Sequence, residues 1–521
     1  MPKQISRGFA AALFLGVAAC APKAPLPPQF HAVTETQAPL DAAPADMAVL
    51  NRVSWGAEAF DAQLLKREGL QTWLDRQLAP GLDDGLPPEA QGQIDAMEIS
   101  RKNLVEINDE IRGLRQAAQA KKGTPDYDAT QKIYQQKLSD LARQAATRSL
   151  LRDLYSQNQL KEQLTWFWMN HFNVSQNKND IRAFVGDYEE NAIRPHVLGK
   201  FRDLLAATLT HPAMLEYLDN FQNAKGHINE NYAREIMELH TMGVGSGYSQ
   251  DDVQQLARIL TGMGVNLTGQ PPAIQKGQRG PFRGAGLTLF NPNRHDFNDK
   301  VFLGGTITGS GLKEIDQAVA ILAAEPPTAH FVSRELAEYF CSDVPPGALV
   351  AAMAASYQRS DGDIASVLRT LFTSAEFKAS LGTKFKDPLH YAISALRAAY
   401  GRQVIINAQP LLGWLSRMGE PLYGHETPDG YPMIEAAWSG PGQMETRFEI
   451  ARLIGLGHSG LYKLQGDAAP EPAPPPLILQ TRYYQAIAPT LSPATMGALG
   501  QGQTAADKNM LFLSSPEFMR R

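Results

Sequence analysis

The chain has 521 residues, 43% of them hydrophobic, and 49 basic against 54 acidic residues give a formal net charge of −5. That is enough chain for a large core in one domain or two, and its near-neutral balance, with no basic run interleaved with aromatics, argues against a nucleic-acid partner. After the N-terminal apolar stretch, no run approaches the ~20 residues a membrane-crossing helix needs.

Lys3 and Arg7 precede a short apolar stretch at 9–18, the pattern of an export signal. Val17-Ala18-Ala19-Cys20 resembles a lipobox, in which Cys20 would be lipidated and become the first residue of the mature chain; an ordinary cleaved signal with a chance cysteine is the alternative. Ala21 follows the cysteine, and by resemblance to bacterial lipoproteins this favours the outer membrane. Acyl chains anchor without spanning. Residues 21–46 are rich in Pro and Ala and read as an extended tether. If Cys20 carries lipid, Cys341 has no intrachain partner, and its place in Phe340-Cys341-Ser342 predicts a buried, inert thiol.

Most of the remaining chain predicts helix. Residues 48–78 carry apolar side chains at helical spacing. Residues 94–120 and 127–154, joined at Lys121-Lys122-Gly123-Thr124-Pro125-Asp126, predict a protruding antiparallel hairpin, a structural arm or a partner-docking coil. Residues 160–174, with Trp166, Phe167, Trp168 and Phe172, read as core. Ser249 with Asp252 three residues on predicts a capping box. Residues 263–312 turn rich in Gly, Pro, Asn and Thr, with short strands at 287–290 and 301–303, and predict a small β insertion. Helices resume from 314, residues 419–443 read as an ordered surface loop, and 468–476 as a Pro/Ala linker. Ser374-Ala375-Glu376-Phe377 and Ser515-Pro516-Glu517-Phe518 repeat one motif, each after an apolar helix end. The fold class is mainly α: a large helical body with a protruding helical hairpin and a small β insertion.

Residues 229–243 hold the densest polar face. At ~100° per residue, Glu230, Asn231, Arg234, Glu235 and Glu238 share one sector, opposite Tyr232, Ala233, Ile236 and Leu239. A solvated salt-bridge lattice and an acid/base or metal site are both compatible with that stripe. His240 lies on the apolar side and reads as core. His171, among Trp and Phe, is hydrogen-bonded core or a cleft residue. His295-Asp296, in a loop between strands, suits proton transfer or a turn held by its own side chains. HExxH, paired-cysteine spacing, GxSxG, a P-loop and a dinucleotide fingerprint are all missing from the sequence. A divalent metal and a two-carboxylate hydrolase both fit what is present.

The stretch 229–243, with Trp168-Met169-Asn170-His171-Phe172, His295-Asp296 and Leu513-Ser514-Ser515-Pro516-Glu517-Phe518, resembles the bacterial DUF1800 family over roughly residues 48–521. The resemblance implies an exported protein of unknown function, whose genes often neighbour those of the sulfatase-like DUF1501 family, a candidate partner. It also implies that His is retained at 171, and that His or Phe is allowed at 240. The resulting expectation is that His171, Glu230, Asn231, Arg234, Glu235, Glu238, His295 and Asp296 converge in one pocket. Glu235 or Glu238 would be the acid or base, Arg234 would orient it or bind an anion, and His295 with Asp296 would be partners from the loop. An envelope-anchored hydrolase acting on an extracytoplasmic polymer or glycan is the function expected; a non-catalytic docking protein and a metal-dependent hydrolase or oxidoreductase are the alternatives.

Overall fold

The computed structural model describes residues 44–81, 83–268, 286–464, 466, 471 and 474–521. The expected signal peptide, Cys20, nearly all of the tether and most of the Pro/Ala linker lie outside these residues. Among the described residues, twenty-five α-helices and two small two-stranded sheets make the protein mainly α. Among the described residues, no helix is long and apolar enough to cross a membrane.

The first helical stretch is three helices, not one: Pro44–Val53, Ala59–Glu68 and Leu70–Leu78. Gly69 adopts φ +80° between the last two and stops the helix there. The hairpin is built from Leu104–Ala120 and Tyr127–Tyr155. Its first arm starts later than the spacing predicts, because a capping box of Asn103 and Glu106 opens a new helix there. Only the tip stands clear. The base packs on the Ile181–Asp187 helix, where Leu138, Leu141 and Ala145 are buried and Asn108 Nδ2 donates to the Leu267 carbonyl at 2.9 Å.

The β insertion forms two separate antiparallel ladders, Met263–Val265 with Thr288–Phe290 and Lys300–Phe302 with Gly305–Ile307. The two predicted strands therefore do not pair with each other; each has its own partner.

The core centres on Gln159–His171, buried except at Lys161, with the helices Pro326–Phe340 and Pro388–Tyr400 alongside. Ser374 Oγ accepts from the Phe377 amide (3.1 Å) and Ser515 Oγ from the Phe518 amide (3.2 Å). The repeated motif thus has one physical role: serine caps a turn that drives a phenylalanine into the core, where both rings are buried. Arg52 is fully buried and donates to the carbonyls of Phe340, Cys341, Ser380 and Arg521, four acceptors on remote segments. Cys341 is a buried free thiol, in keeping with its reading as inert.

Candidate functional site

The acidic stripe is carried by the Glu230–Glu238 helix. Asn229 caps its start, accepting from the Tyr232 amide at 3.2 Å. Leu239 caps its end, and beyond it the Met237 carbonyl accepts from Met242 (2.9 Å) and from Gly243 (3.1 Å), which adopts φ +85°. A side chain at Gly243 would strike the Phe331 ring. Tyr232, Ala233, Ile236 and Met237 are buried, so the polar sector faces outward.

The three glutamates differ in what they bind. Glu230 accepts from Gln250 (2.7 Å) and Gln254 (3.1 Å) on the Gln250–Ile259 helix, which opens with the predicted Ser249–Asp252 capping box. Arg234 donates to Gln250 (2.7 Å) and lies 3.5 Å from Glu238. Glu238 accepts from the Tyr248 hydroxyl at 2.6 Å, and burial together with that carboxylate pushes the phenol up to about 12. Asn231 is exposed. Glu235, half-buried, makes no side-chain hydrogen bond among the described residues. Burial, then the neighbouring charges of Glu238 and Asp429, raise its carboxyl above the usual range.

Asp429 comes from the segment read as a surface loop. Thr427 Oγ1 donates to Asp429 Oδ1 (2.5 Å), and His425 Nε2 lies 3.0 Å from that hydroxyl and 3.2 Å from the same oxygen. Thr427 has one proton and gives it to the carboxylate, so His425 Nε2 carries the hydrogen of its own contact. Burial alone would raise the Asp429 carboxyl; the bonds from Thr427 and His425 outweigh it and hold the group below the usual range. Tyr217 stands beside both, its hydroxyl donating to the Glu426 carbonyl at 2.7 Å. Two carboxyls within electrostatic reach are thus driven in opposite directions, Glu235 upward and Asp429 downward.

The other expected members do not join them. His171 donates through Nε2 to the His240 carbonyl (3.1 Å) and sits among Phe167, Trp168, Phe172 and Phe331. Burial lowers His171 to about 4 and His240 to about 3, so both are neutral core rings. His171 is therefore no cleft residue: its neighbours are aromatic on every side, and its polar edge is used by backbone.

His295 and Asp296 build a separate buried network. His295 Nε2 meets Glu314 Oε1 at 2.9 Å, and its Nδ1 meets the Thr261 carbonyl at 2.8 Å. Glu314 also accepts from Lys300 Nζ and from the amides of Ser310 and Gly311, both at 2.7 Å. Burial opposes its charge, but the bonds from His295, Lys300 and Gly311 hold its carboxyl below the usual range. Asp296 pairs with Arg258 at 2.8 Å, which lowers it against burial. The side chains of His295, Lys300 and Glu314 are fully inaccessible. Glu314 is a fastening point for the β insertion, and the expected convergence of eight residues gives way to three separate groups.

Among the described residues, no three His, Cys, Asp or Glu side chains are gathered as a metal site would require. A surface cavity of about 440 Å³ lies elsewhere, over Asn103, Asp187, His211 and Thr288. There His211 Nδ1 accepts from the Ala213 amide (3.1 Å), so Nε2–H faces Asp187 (3.2 Å); one nitrogen serves helix capping and the other a hydrogen bond to a carboxylate.

A mainly helical body with two carboxyls on an open face defines no reaction class by itself. The chain belongs to DUF1800, a family of proteins of unknown function, whose model matches residues 48–520. No curated protein and no solved structure matches it.

Proposed function

We propose that the protein is a hydrolase acting on an extracytoplasmic polymer or glycan, with Glu235 as general acid and Asp429 as its ionised partner. One observation carries this reading: among the described residues, Glu235 alone of the stripe's glutamates has a side chain without a hydrogen bond, and it stands within electrostatic reach of a carboxylate tied down in its anionic form. Opposed environments for two neighbouring carboxyls are how acid and base roles are divided at neutral pH. Glu235 would give its proton to the leaving oxygen as the C–O bond breaks. Asp429 would stabilise the positive charge developing at carbon. Water would supply the new hydroxyl and return a proton to Glu235.

The envelope is the place for such chemistry, with Cys20 as lipid attachment and the outer membrane favoured by Ala21. Cys20→Ser should move the protein from the membrane to the soluble fraction; continued membrane retention removes the anchor.

The activity is tested by incubating purified protein with peptidoglycan and envelope polysaccharides and following new reducing ends from pH 4 to 8. Release that disappears in folded Glu235→Gln and Asp429→Asn is expected. Release by the wild type that both variants retain defeats the assignment, and so does a wild type that complements a deletion strain no better than Glu235→Gln.

A further inference from the structure

Residues 422–431 belong to no helix or strand, so their backbone groups need partners from elsewhere. The segment closing the aromatic helix supplies them. Asn170 clamps Tyr431 at two points, accepting its N–H (2.7 Å) and donating to its carbonyl (2.9 Å). Asn173 Nδ2 donates to the carbonyls of Thr427 (2.7 Å) and His425 (3.2 Å). Gln176 bonds Leu422 through its side chain (3.0 Å) and Tyr423 through its own N–H (2.9 Å). These amides do what a neighbouring strand would do. The approach is tight: Gly430 adopts φ +72°, and a Cβ there would lie 2.3 Å from the Asn170 carbonyl oxygen. Asn170 and Asn173 are both buried, so their donors have no water to fall back on.

We infer that Asn170 and Asn173 are positioning residues, whose side-chain amides fix the path of residues 425–431 and thereby keep Asp429 where its charge reaches Glu235. The inference rests on the acid/base reading of that pair. It gives the Asn170-His171-Phe172-Asn173 motif a role that its histidine, turned into the core, does not have. The two amides bracket the Thr427–Asp429 turn, one bonding before it and one after. Removing either lets the turn swing and takes a partner from the carbonyls it holds.

The test reads Glu235 directly and needs no substrate. Full-length protein is labelled with a water-soluble carbodiimide and glycinamide across pH, and the Glu235 peptide is quantified by mass spectrometry. Labelling requires the protonated carboxyl, so it reports Asp429's proximity. Asn173→Ala, and Asn170→Asp, which keeps the shape and loses the donor, should each reduce Glu235 labelling at pH 6 about threefold, the effect of half a pKa unit. Melting temperature should hold within about 4 °C, and labelling at Glu230 should not change. Asp429→Asn is the control that separates the two ideas. If it lowers Glu235 labelling and the asparagine variants do not, positioning is overturned and the pair stands. If Asp429→Asn itself has no effect, Glu235 and Asp429 are not coupled and the proposed function falls. A variant that melts at a much lower temperature with unaltered Glu235 labelling makes its asparagine a stabilising residue only, which also overturns the inference.

Discussion

Two polar regions of this protein are built from the same residue types and differ in how completely they are satisfied. Around Glu314, a histidine, a lysine and two backbone amides converge on one inaccessible carboxylate until its lone pairs are used. Around Glu235, two carboxyls share an open face, and among the described residues one of them makes no side-chain hydrogen bond. A saturated ionic network can hold a loop, but it has no capacity left to exchange a proton with anything else. A carboxyl that burial and like charge have made uncomfortable has that capacity. Residue type alone would have ranked His295-Asp296 as the more chemical of the two.

Substitution breaks the comparison most sharply at Glu314. Glu314→Ala leaves Lys300 charged and buried beside an unpaired His295, and should cost about 3–5 kcal/mol in urea unfolding; a loss under 1 kcal/mol would mean that the network is dispensable. The next effect is at the neutral core histidines. With a folded value near 3 against the ordinary 6.5, His240 takes up a proton far more readily when unfolded. Its contribution to stability therefore falls as pH drops below 6.5. His240→Phe removes that penalty, and relative to wild type it should gain about 2 kcal/mol between pH 7.5 and 5 in denaturation midpoints. An equal difference at both pH values would place the ring in water.

Gly430→Ala forces a Cβ into Asn170 at a left-handed φ, and should cost about 1–3 kcal/mol, with faster hydrogen exchange confined to the 421–432 peptide. Glu235→Gln should be the mildest, within about 0.5 kcal/mol of wild type. Its sign is informative. A carboxyl raised on folding costs stability as pH rises from its unfolded value through its folded one, so the variant should gain on wild type across that rise. A variant that loses stability as pH rises would mean that Glu235 is salt-bridged after all.

The helical body was legible in the sequence, because apolar spacing and capping residues such as Ser249 and Asp252 act locally. The stripe was legible for the same reason: periodicity alone sorts Glu235 from Ile236. Helix breaks at Gly69 and Asn103 were not, since apolar spacing runs through both. His171 misled because a histidine's role depends on what surrounds its two nitrogens, and the aromatic shell and the His240 carbonyl are tertiary facts. Asp429 was missed because it approaches Glu235 across nearly 200 residues of chain and is held by side-chain amides bonding backbone, an arrangement with no period. The available signal was side-chain amides at 170, 173 and 176, spaced three apart across the end of an apolar helix.

Arg52 sets the order in which the body can be completed. Its guanidinium finds carbonyls at Phe340, Cys341, Ser380 and Arg521, separated from it by 288 to 469 positions. The helix that carries it cannot reach its final low-energy setting when it first forms; it waits for partners supplied by distant parts of the polypeptide. Such non-local closure slows folding, so the rate-limiting step of refolding should bury Arg52, and its protection should arrive with the last kinetic phase.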